Sequence, residues 1–233
     1  MPRKTRQLSS TSHSIEEYRF CALPEHLVLE ASVQRWTKRH LTWTLVGSLP
    51  TVDSGDRLQC HEMAWRMWAN VCGLTFEYTQ NSRTADIVSN AGRIDEGGRT
   101  LAWSELPNGA DGPLKQLYDI AERWFVGLDM GSIPRGLIPL LITAAHENGH
   151  AIGLGHSNDQ RALMYPSLNV STLGKPQQWD IREATSRYGE PAPPPPPPTA
   201  KTITVHLVGG GTAVLSEVES IEGYRLTPLI SQE

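Results

Sequence analysis

One stretch of this chain constrains its structure more than any other. It reads His-Glu-Asn-Gly-His-Ala-Ile-Gly-Leu-Gly-His and extends from His146 to His156. Residues four apart on an α-helix lie on one face, so His146 and His150 can bind one cation from the same side. Gly153 allows the backbone to leave the helix with a positive φ, and the chain can then return so that His156 supplies a third nitrogen. The stretch therefore predicts a helix, a glycine turn and a three-histidine metal site.

The ligand set predicts the kind of metal site. Three imidazoles leave the fourth position of a tetrahedral zinc ion to water, as in catalytic zinc sites, and zinc lowers the pKa of that water to about 7. Glu147 could take the proton of the water and pass it to a leaving amine. The alternative, surface histidines on an amphipathic helix, would suit a bare His-Glu-x-x-His, but the added glycine and third histidine argue against it. The chemistry that fits is peptide-bond hydrolysis.

Composition argues against several other classes of protein. The chain has 233 residues, a net charge of −4 and 20 % charged residues, which indicates no general attraction to nucleic acid or membranes. No apolar run approaches the roughly 20 residues that span a bilayer. The basic N-terminus is followed by polar residues, so we predict no secretory signal peptide. The three cysteines cannot form a disulfide framework, and Cys60 and Cys72 are interpreted as small buried residues.

Hydrophobic patterns predict the order of the secondary structure elements. Runs of β-formers predict strands at 41–46, 74–78, 85–88 and 100–105. Helical spacing predicts helices over 56–72, from Pro139 to Gly153, and over 177–188. A strand, a helix and a second strand at the start favour a largely parallel sheet. The segment 91–136 is rich in Gly, Pro and Asp, and long irregular stretches of this kind are usually functional or hold ions.

The C-terminal part has a different composition. A proline run occupies much of 191–200 and predicts a stiff polyproline linker, with SH3-type ligand activity as the alternative. Beyond it, apolar runs at 202–207 and 212–215 flank three glycines and predict a β-hairpin. The chain thus divides into an N-terminal region 1–30, a main domain 31–190, the linker 191–200 and a tail 201–233.

Residues after the third histidine indicate a family. Ser157 follows it directly, and Ala162-Leu163-Met164-Tyr165-Pro166 comes shortly after. With these residues the sequence resembles the metzincin metallopeptidases and, within them, the matrixins or matrix metalloproteinases. The resemblance extends over 35–190 and includes, in family order, 35–43, 68–76, 85–87, 101–102 and 178–189. It implies an α+β, zincin-like catalytic domain: a five-stranded, twisted, mostly parallel sheet with three helices and a substrate cleft across the zinc.

The resemblance also implies roles for single residues. Met164 would be the Met-turn residue beneath the metal, although an ordinary core methionine fits the sequence equally, and Pro166 would line the S1′ pocket. Ala102 and Trp103 would lie on the edge strand that pairs with an extended peptide substrate. We therefore expect a monomer whose partner is a protein or peptide bound as an extended strand. An extracellular location is implied by the resemblance alone, and the sequence leaves the compartment open.

The chain departs from the family at the second, structural zinc. No histidine occurs between His61 and His146, and Trp103 and Leu117 stand where two of its ligands are expected. We therefore predict one zinc ion and not two. Asn148 also departs, because an apolar residue is more usual inside the motif, and we do not expect it to contact the metal.

Three acidic residues fall where the ligands of the family's calcium site would lie. They are Asp95, Asp119 and Glu122. Ligation by oxygen alone suits calcium, whereas three solvated loop carboxylates are the alternative interpretation. Calcium is therefore a possible second cofactor.

Cys21-Ala22-Leu23-Pro24-Glu25 resembles the matrixin cysteine switch, in which a propeptide cysteine places its thiolate on the catalytic zinc. A thiolate is a good zinc ligand and would occupy the position of the water. The match is imperfect, because Phe20 replaces the usual arginine and Ala22 the usual glycine. We hypothesise that region 1–30 is a short pro-segment of a zymogen; a free thiol without a regulatory role is the alternative.

Together these features predict a zinc-dependent metalloendopeptidase. A different His-Glu-x-x-His zinc hydrolase is one alternative, and the third histidine and Met164 argue against it. A catalytically impaired, zinc-dependent peptide-binding module of the same fold is the other. Such a module commonly loses the base while it keeps the ligands, and here Glu147 is present.

Overall fold

The structure is a computed structural model that describes residues 34–97, 99–109, 112–127 and 133–193, together with the backbone of three short strands at 19–21, 203–206 and 212–215. The chain divides into two compact units, Met1–Ala192 and Pro193–Glu233. None of the helices in the described parts has the length and apolar character that crossing a bilayer requires.

A six-stranded sheet forms the first unit's framework. Its strands are β1 (Arg19–Cys21), β2 (His40–Val46), β3 (Thr75–Tyr78), β4 (Ile87–Gly92), β5 (Thr100–Ser104) and β6 (Leu114–Asp119). They lie in the order β1-β5-β6-β4-β2-β3. Only β5 and β6 are antiparallel, and the other neighbouring pairs are parallel. Strands β2 to β6 are the mostly parallel, five-stranded sheet of the expected α+β fold, which is confirmed.

Strand β1 is an addition to that expectation. It pairs in parallel with β5, with Cys21 opposite Ala102. The sequence drew attention to this segment for its cysteine and not for strand character. The outer edge of β5 is therefore covered by an extended backbone from the N-terminal region.

The three predicted helices are α1 (Ser54–Ala69), α2 (Leu140–Ala151) and α3 (Gln178–Tyr188). Asp53 caps α1, because its carboxylate accepts a hydrogen bond from the Gly55 N–H at 2.7 Å. A capping box between Gln177 and Asp180 begins α3, and Gly189 with a φ of 79° ends it. Local capping thus fixes both ends of α3.

Strand β6 was missed, because it lies in the segment that we expected to be irregular. Its core-facing residues are Leu114, Gln116 and Tyr118, all buried, while Leu117 faces outward and is half-buried. A polar residue on the core face and an apolar one on the outer face conceal the alternation that usually identifies a strand. This strand is central to the sheet between β5 and β4.

Four short strands of the described residues lie outside the six-stranded sheet. Strands β7 (Trp124–Phe125) and β8 (Ile138–Pro139) form a parallel pair directly before α2. In the second unit, β9 (Ile203–His206) and β10 (Thr212–Leu215) pair antiparallel, with Leu215 opposite Ile203.

The core lies between the sheet and helices α1 and α2. Trp43, Trp65 and Trp68 are almost entirely buried there, and the Trp68 indole N–H donates to the Ala145 carbonyl of α2 at 2.8 Å. A Cβ at Gly149 would collide with the Met164 sulfur and with the Trp68 ring. Glycine at this position therefore lets α2 pack closely against both neighbours.

Candidate metal centre and active site

The three histidines of the motif converge at the end of α2. His146 and His150 lie on one face of the helix and are fully buried, and Gly153 with a φ of 91° turns the chain toward His156. The ring centroids lie 4.8 Å apart for His146 and His150, 5.4 Å for His146 and His156, and 4.8 Å for His150 and His156. One ring nitrogen from each lies within 4.8 Å of the others. The structure thus brings together all three residues that the spacing predicted.

Hydrogen bonds to backbone carbonyls determine which nitrogen each buried ring presents to the centre. Nδ1 of His146 donates to the Leu163 carbonyl and Nδ1 of His150 to the Leu154 carbonyl, both at 2.8 Å. A neutral imidazole with its proton on Nδ1 has a lone pair on Nε2. The two Nε2 atoms lie 3.1 Å apart, and since neither carries a proton this separation is not a hydrogen bond. Both lone pairs face one space, as in a metal site.

The donor set fits zinc. Burial, and after it the charge of neighbouring histidines, lowers the pKa of both rings, to about 3 for His150. Neutral imidazole is the form that binds zinc, and tetrahedral ligation at about 2.0–2.1 Å would place two nitrogens roughly 3.3 Å apart. The Nε2 separation of 3.1 Å between His146 and His150 is close to that value. These residues can therefore hold a zinc ion with little rearrangement.

Glu147 lies beside this centre on the same helix. Its side chain is fully buried, and neither carboxylate oxygen has a hydrogen-bond partner among the described residues. Burial raises the pKa of the Glu147 carboxyl well above its usual value. A buried carboxyl group without a hydrogen-bond partner is unfavourable in free energy. A water molecule bound to the metal would supply such a partner.

Met164 lies directly beneath α2. It is fully buried, and its sulfur approaches the helix at Gly149, between the two helical histidines. The Leu163 carbonyl beside it accepts the hydrogen bond from His146. Pro166 follows two residues later and is half-buried. The segment around Met164 thus supports both the helix and one metal-facing ring.

Asp180 is a supporting residue that sequence reasoning missed. Its buried carboxylate accepts from the backbone N–H groups of Leu163 at 2.8 Å, Met164 at 3.1 Å and Gln177 at 2.7 Å. Burial raises the pKa of Asp180, and these three donors oppose the rise. The contact with Gln177 is part of the capping box of α3, but no local pattern could reveal the contact with a segment 16–17 residues earlier.

The three predicted acidic residues also meet. Carboxylate oxygens of Asp95, Asp119 and Glu122 lie within 4.8 Å of one another. Backbone N–H groups bind two of them: Gly97 and Thr100 donate to Asp95, while Asp95 and Ala121 donate to Asp119. The loop therefore holds these carboxylates in place as a group that could bind a cation.

The two positions expected for ligands of a second zinc are neighbours. Trp103 of β5 is directly opposite Leu117 of β6, and Leu117 also packs against Gly92. Both side chains lie on the face of the sheet opposite Ala102 and Tyr118, which are buried in the core. An indole and a leucine thus form an apolar pair where two imidazoles were expected.

Comparison with known proteins agrees with this site. The family model for matrixins matches residues 35–189. Interstitial collagenase B of Mus musculus is 32 % identical over 179 residues, 72 % of this chain and 36 % of that protein. Macrophage metalloelastase of Rattus norvegicus is 30 % identical over 204 residues, 80 % of this chain and 41 % of the relative. Matrix metalloproteinase-19 of Homo sapiens is 36 % identical over 143 residues, 57 % and 26 % of the two chains. The chain spans well under half the length of these relatives, and over the matched region it belongs to the matrixin family.

Proposed function

We propose that the chain is a zinc-dependent metalloendopeptidase that cleaves peptide bonds within protein substrates. The observation that carries the proposal is the convergence of three histidines, two with Nε2 lone pairs 3.1 Å apart, beside the buried carboxyl of Glu147. His146, His150 and His156 would hold the metal. When bound, zinc supplies a Lewis acid for the peptide carbonyl and a more acidic water.

Glu147 would carry the protons of the reaction. Its carboxylate takes a proton from the attacking water and later gives it to the leaving amine. A general base works best when its pKa lies near the working pH. Burial raises the pKa of Glu147 toward that range. The presence of Glu147 favours a peptidase over an impaired peptide-binding module of the same fold.

The outer edge of β5 is the proposed substrate site. Strand β1 pairs with it through Arg19 opposite Thr100 and Cys21 opposite Ala102. This pairing supports the proposal that an extended backbone can add to the edge by β-augmentation. A peptide substrate would take the place of β1 and lie alongside Ala102 and Trp103, with Pro166 at the wall of the S1′ pocket.

The same pairing supports latency. Cα atoms of β1 approach those of α2 within 8 Å. In the proposed latent state the Cys21 thiolate is a zinc ligand, and removal of residues 1–30 exposes both metal and edge. The side chain of Cys21 lies outside the described residues.

Two further assignments belong to this proposal. Asp95, Asp119 and Glu122 would bind a calcium ion, which suits a site built from oxygen ligands alone. An extracellular location is proposed from membership of the matrixin family alone.

A peptide-library assay tests the proposed function. A chain that begins near Ser32, which lacks the proposed latency segment, would be stripped with a chelator, reconstituted with zinc, and incubated with a mixture of unstructured peptides whose fragments are identified by mass spectrometry. We expect internal cleavage that the chelator abolishes and zinc restores. Zinc-dependent peptide binding without fragments would instead favour the impaired binding module.

A further inference from the structure

A buried chain of hydrogen bonds runs from helix α2 through the sheet to helix α1. Gln116 Nε2 donates to Asn148 Oδ1 at 3.2 Å, and Ser89 Oγ donates to Gln116 Oε1 at 2.6 Å. The Arg57 guanidinium donates to the backbone carbonyls of Ser89 at 3.1 Å and Gly47 at 2.7 Å. Asn148, Gln116 and Ser89 have no solvent exposure, and Arg57 has 3 %. Two helices and two central strands are thus joined inside the core.

Stability alone does not account for this chain of polar groups. Burial of polar side chains is favourable only when their donors and acceptors are paired, and apolar residues of similar volume often do as well or better. Here the Asn148 Nδ2 and Arg57 Nε groups have no hydrogen-bond partner among the described residues. A half-paired network is less stabilising than an apolar core. What a hydrogen bond adds over an apolar contact is direction.

The position of Asn148 explains why a directional hydrogen bond matters at this point of helix α2. It follows Glu147 in α2 and lies between the metal-facing residues His146 and His150. A rotation of the helix by about 10° would move a group about 6 Å from its axis by about 1 Å. Displacements of that size in a catalytic group can cost about 100-fold in rate. The hydrogen bond from Gln116 opposes such a rotation.

Gln116 also connects the helix to the proposed substrate edge. It lies in β6 opposite Ser104 of β5 on one side and opposite Ser89 of β4 on the other. Strand β5 is the strand with which a substrate would pair in place of β1. The Gln116–Asn148 hydrogen bond therefore fixes the orientation of helix α2, which carries Glu147, relative to strand β6. Strand β6 is the neighbour of β5, with which a substrate would pair.

We propose that Asn148 is a positioning residue for Glu147, acting through its hydrogen bond to Gln116. The pair fixes the rotation of α2 over the sheet, and Ser89 and Arg57 hold Gln116 in the orientation that this requires. This role rests on the proposed peptidase function of Glu147.

The test uses the whole chain carrying Cys21→Ser in the parent and in every variant, so that a bond from the Cys21 thiolate to zinc does not obscure the comparison of rates. Asn148→Leu and Gln116→Leu each remove one partner, and the exchanged double variant Gln116→Asn/Asn148→Gln keeps two amides of the same combined length. We expect each single variant to lower kcat about tenfold or more, with zinc content unchanged and KM within about twofold. The exchanged pair should recover most of the lost kcat.

Tyr188→Phe is the matched control. It removes two buried hydrogen bonds, from the Tyr188 hydroxyl to the Ile152 carbonyl and from the Trp36 backbone N–H to that hydroxyl, and leaves the side chains of Asn148 and Gln116 unchanged. It should lower stability but leave kcat as in the parent. A parent-like kcat in both leucine variants, or a loss that the exchanged pair does not reverse, would overturn the positioning role.

Amide hydrogen exchange in α2 separates this role from the proposed function. Both leucine variants should show faster exchange along α2 than the Tyr188→Phe control, whether or not the chain hydrolyses peptides. Absence of hydrolysis by the parent chain would overturn the peptidase proposal alone. Unchanged exchange in α2 would overturn the positioning role alone.

Discussion

His146 donates its Nδ1 proton to the carbonyl oxygen of Leu163, 2.8 Å away. The backbone N–H of Leu163 in turn donates to the carboxylate of Asp180 at 2.8 Å. A residue of helix α3 thus orients, through the backbone of Leu163, a ring that would bind the metal. Partners of this kind fix the tautomer and direction of a ligand and commonly affect metal affinity.

Asp180→Asn should therefore weaken zinc binding although residue 180 does not touch the metal. An amide offers one acceptor oxygen where the carboxylate offers two, so at least one of the buried N–H groups of Leu163, Met164 and Gln177 loses its partner. We expect zinc affinity to fall about 10–100-fold and the free energy of unfolding to fall by about 1–3 kcal/mol. Competition with a chromophoric chelator and urea unfolding measure the two quantities.

The control for Asp180 is Asp159→Asn. The Asp159 carboxylate is bound to the exposed guanidinium of Arg161 and supports no metal-facing residue. This variant should bind zinc as the wild type does. Equal zinc affinity in the Asp180 variant would show that the Met164 segment holds its position without the carboxylate.

Glu147→Ala should retain zinc and lose hydrolysis. The three imidazoles remain, so one zinc per chain should be found by atomic absorption. Loss of the proton carrier should lower kcat by a factor of about 10²–10⁴. His150→Ala, in contrast, should lose both metal and activity. Undiminished cleavage by the Glu147 variant would contradict the proposed mechanism.

The sequence predicts those parts of the site that depend on short spacing. His146, His150 and His156 lie on one helix and its following turn, so helical geometry alone brings them together. The resemblance to matrixins added Asp95, Asp119 and Glu122, which do meet in space. The three helices and six of the strands, including both strands of the C-terminal hairpin, followed from hydrophobic patterns and turn residues.

Contacts between distant segments could not be predicted in the same way. Asp180 binds Leu163 across 17 residues, and Gln116 binds Asn148 across 32. Each pair depends on how α3 or β6 packs, and no local pattern encodes that. Strand β6 was also hidden, because Gln116 occupies the core-facing position where a strand pattern requires an apolar residue. Side chains that support the site are therefore harder to identify than those that form it.

Metal analysis should find one tightly bound zinc per chain. Trp103 and Leu117 pair where a second zinc would need ligands, and neither side chain can bind the metal. Any calcium should depend on Asp95, Asp119 and Glu122, so Asp119→Asn should lower calcium content and leave zinc unchanged. Plasma emission spectroscopy after dialysis measures both. Two tightly held zinc ions would contradict the interpretation of segment 91–131 as lacking a second zinc site.

His61 should make stability depend on pH. Its ring is fully buried between Trp43 and Tyr118, and burial, followed by the charge of Arg57, lowers its pKa well below the usual value. Below about pH 6.5 the unfolded chain therefore takes up a proton that the folded chain does not. The free energy of unfolding should fall with falling pH by up to about 1.4 kcal/mol per unit from this residue.

His61→Phe keeps a ring in the same place and removes the titrating group. Urea unfolding of the zinc-loaded protein between pH 5 and pH 7 should give a shallower pH dependence for the variant, because one fewer proton is taken up on unfolding. Identical slopes for the two proteins would mean that the unfolded chain gains no extra proton at position 61.

Latency can be tested through strand β1, which covers the edge of β5 with Cys21 opposite Ala102. If the thiolate of Cys21 occupies the position of the water, two contacts hold the N-terminal region: the bond from sulfur to zinc and the pairing of β1 with β5. Cys21→Ser removes the first contact only, whereas a chain that begins near Ser32 removes both. We expect peptide hydrolysis to be slowest for the 233-residue chain, faster for Cys21→Ser, and fastest for the truncated chain.

A thiol-reactive mercurial should activate the 233-residue chain and leave the Cys21→Ser variant unchanged. Equal rates for all three proteins would leave Cys21 without a regulatory role and would make β1 a structural strand.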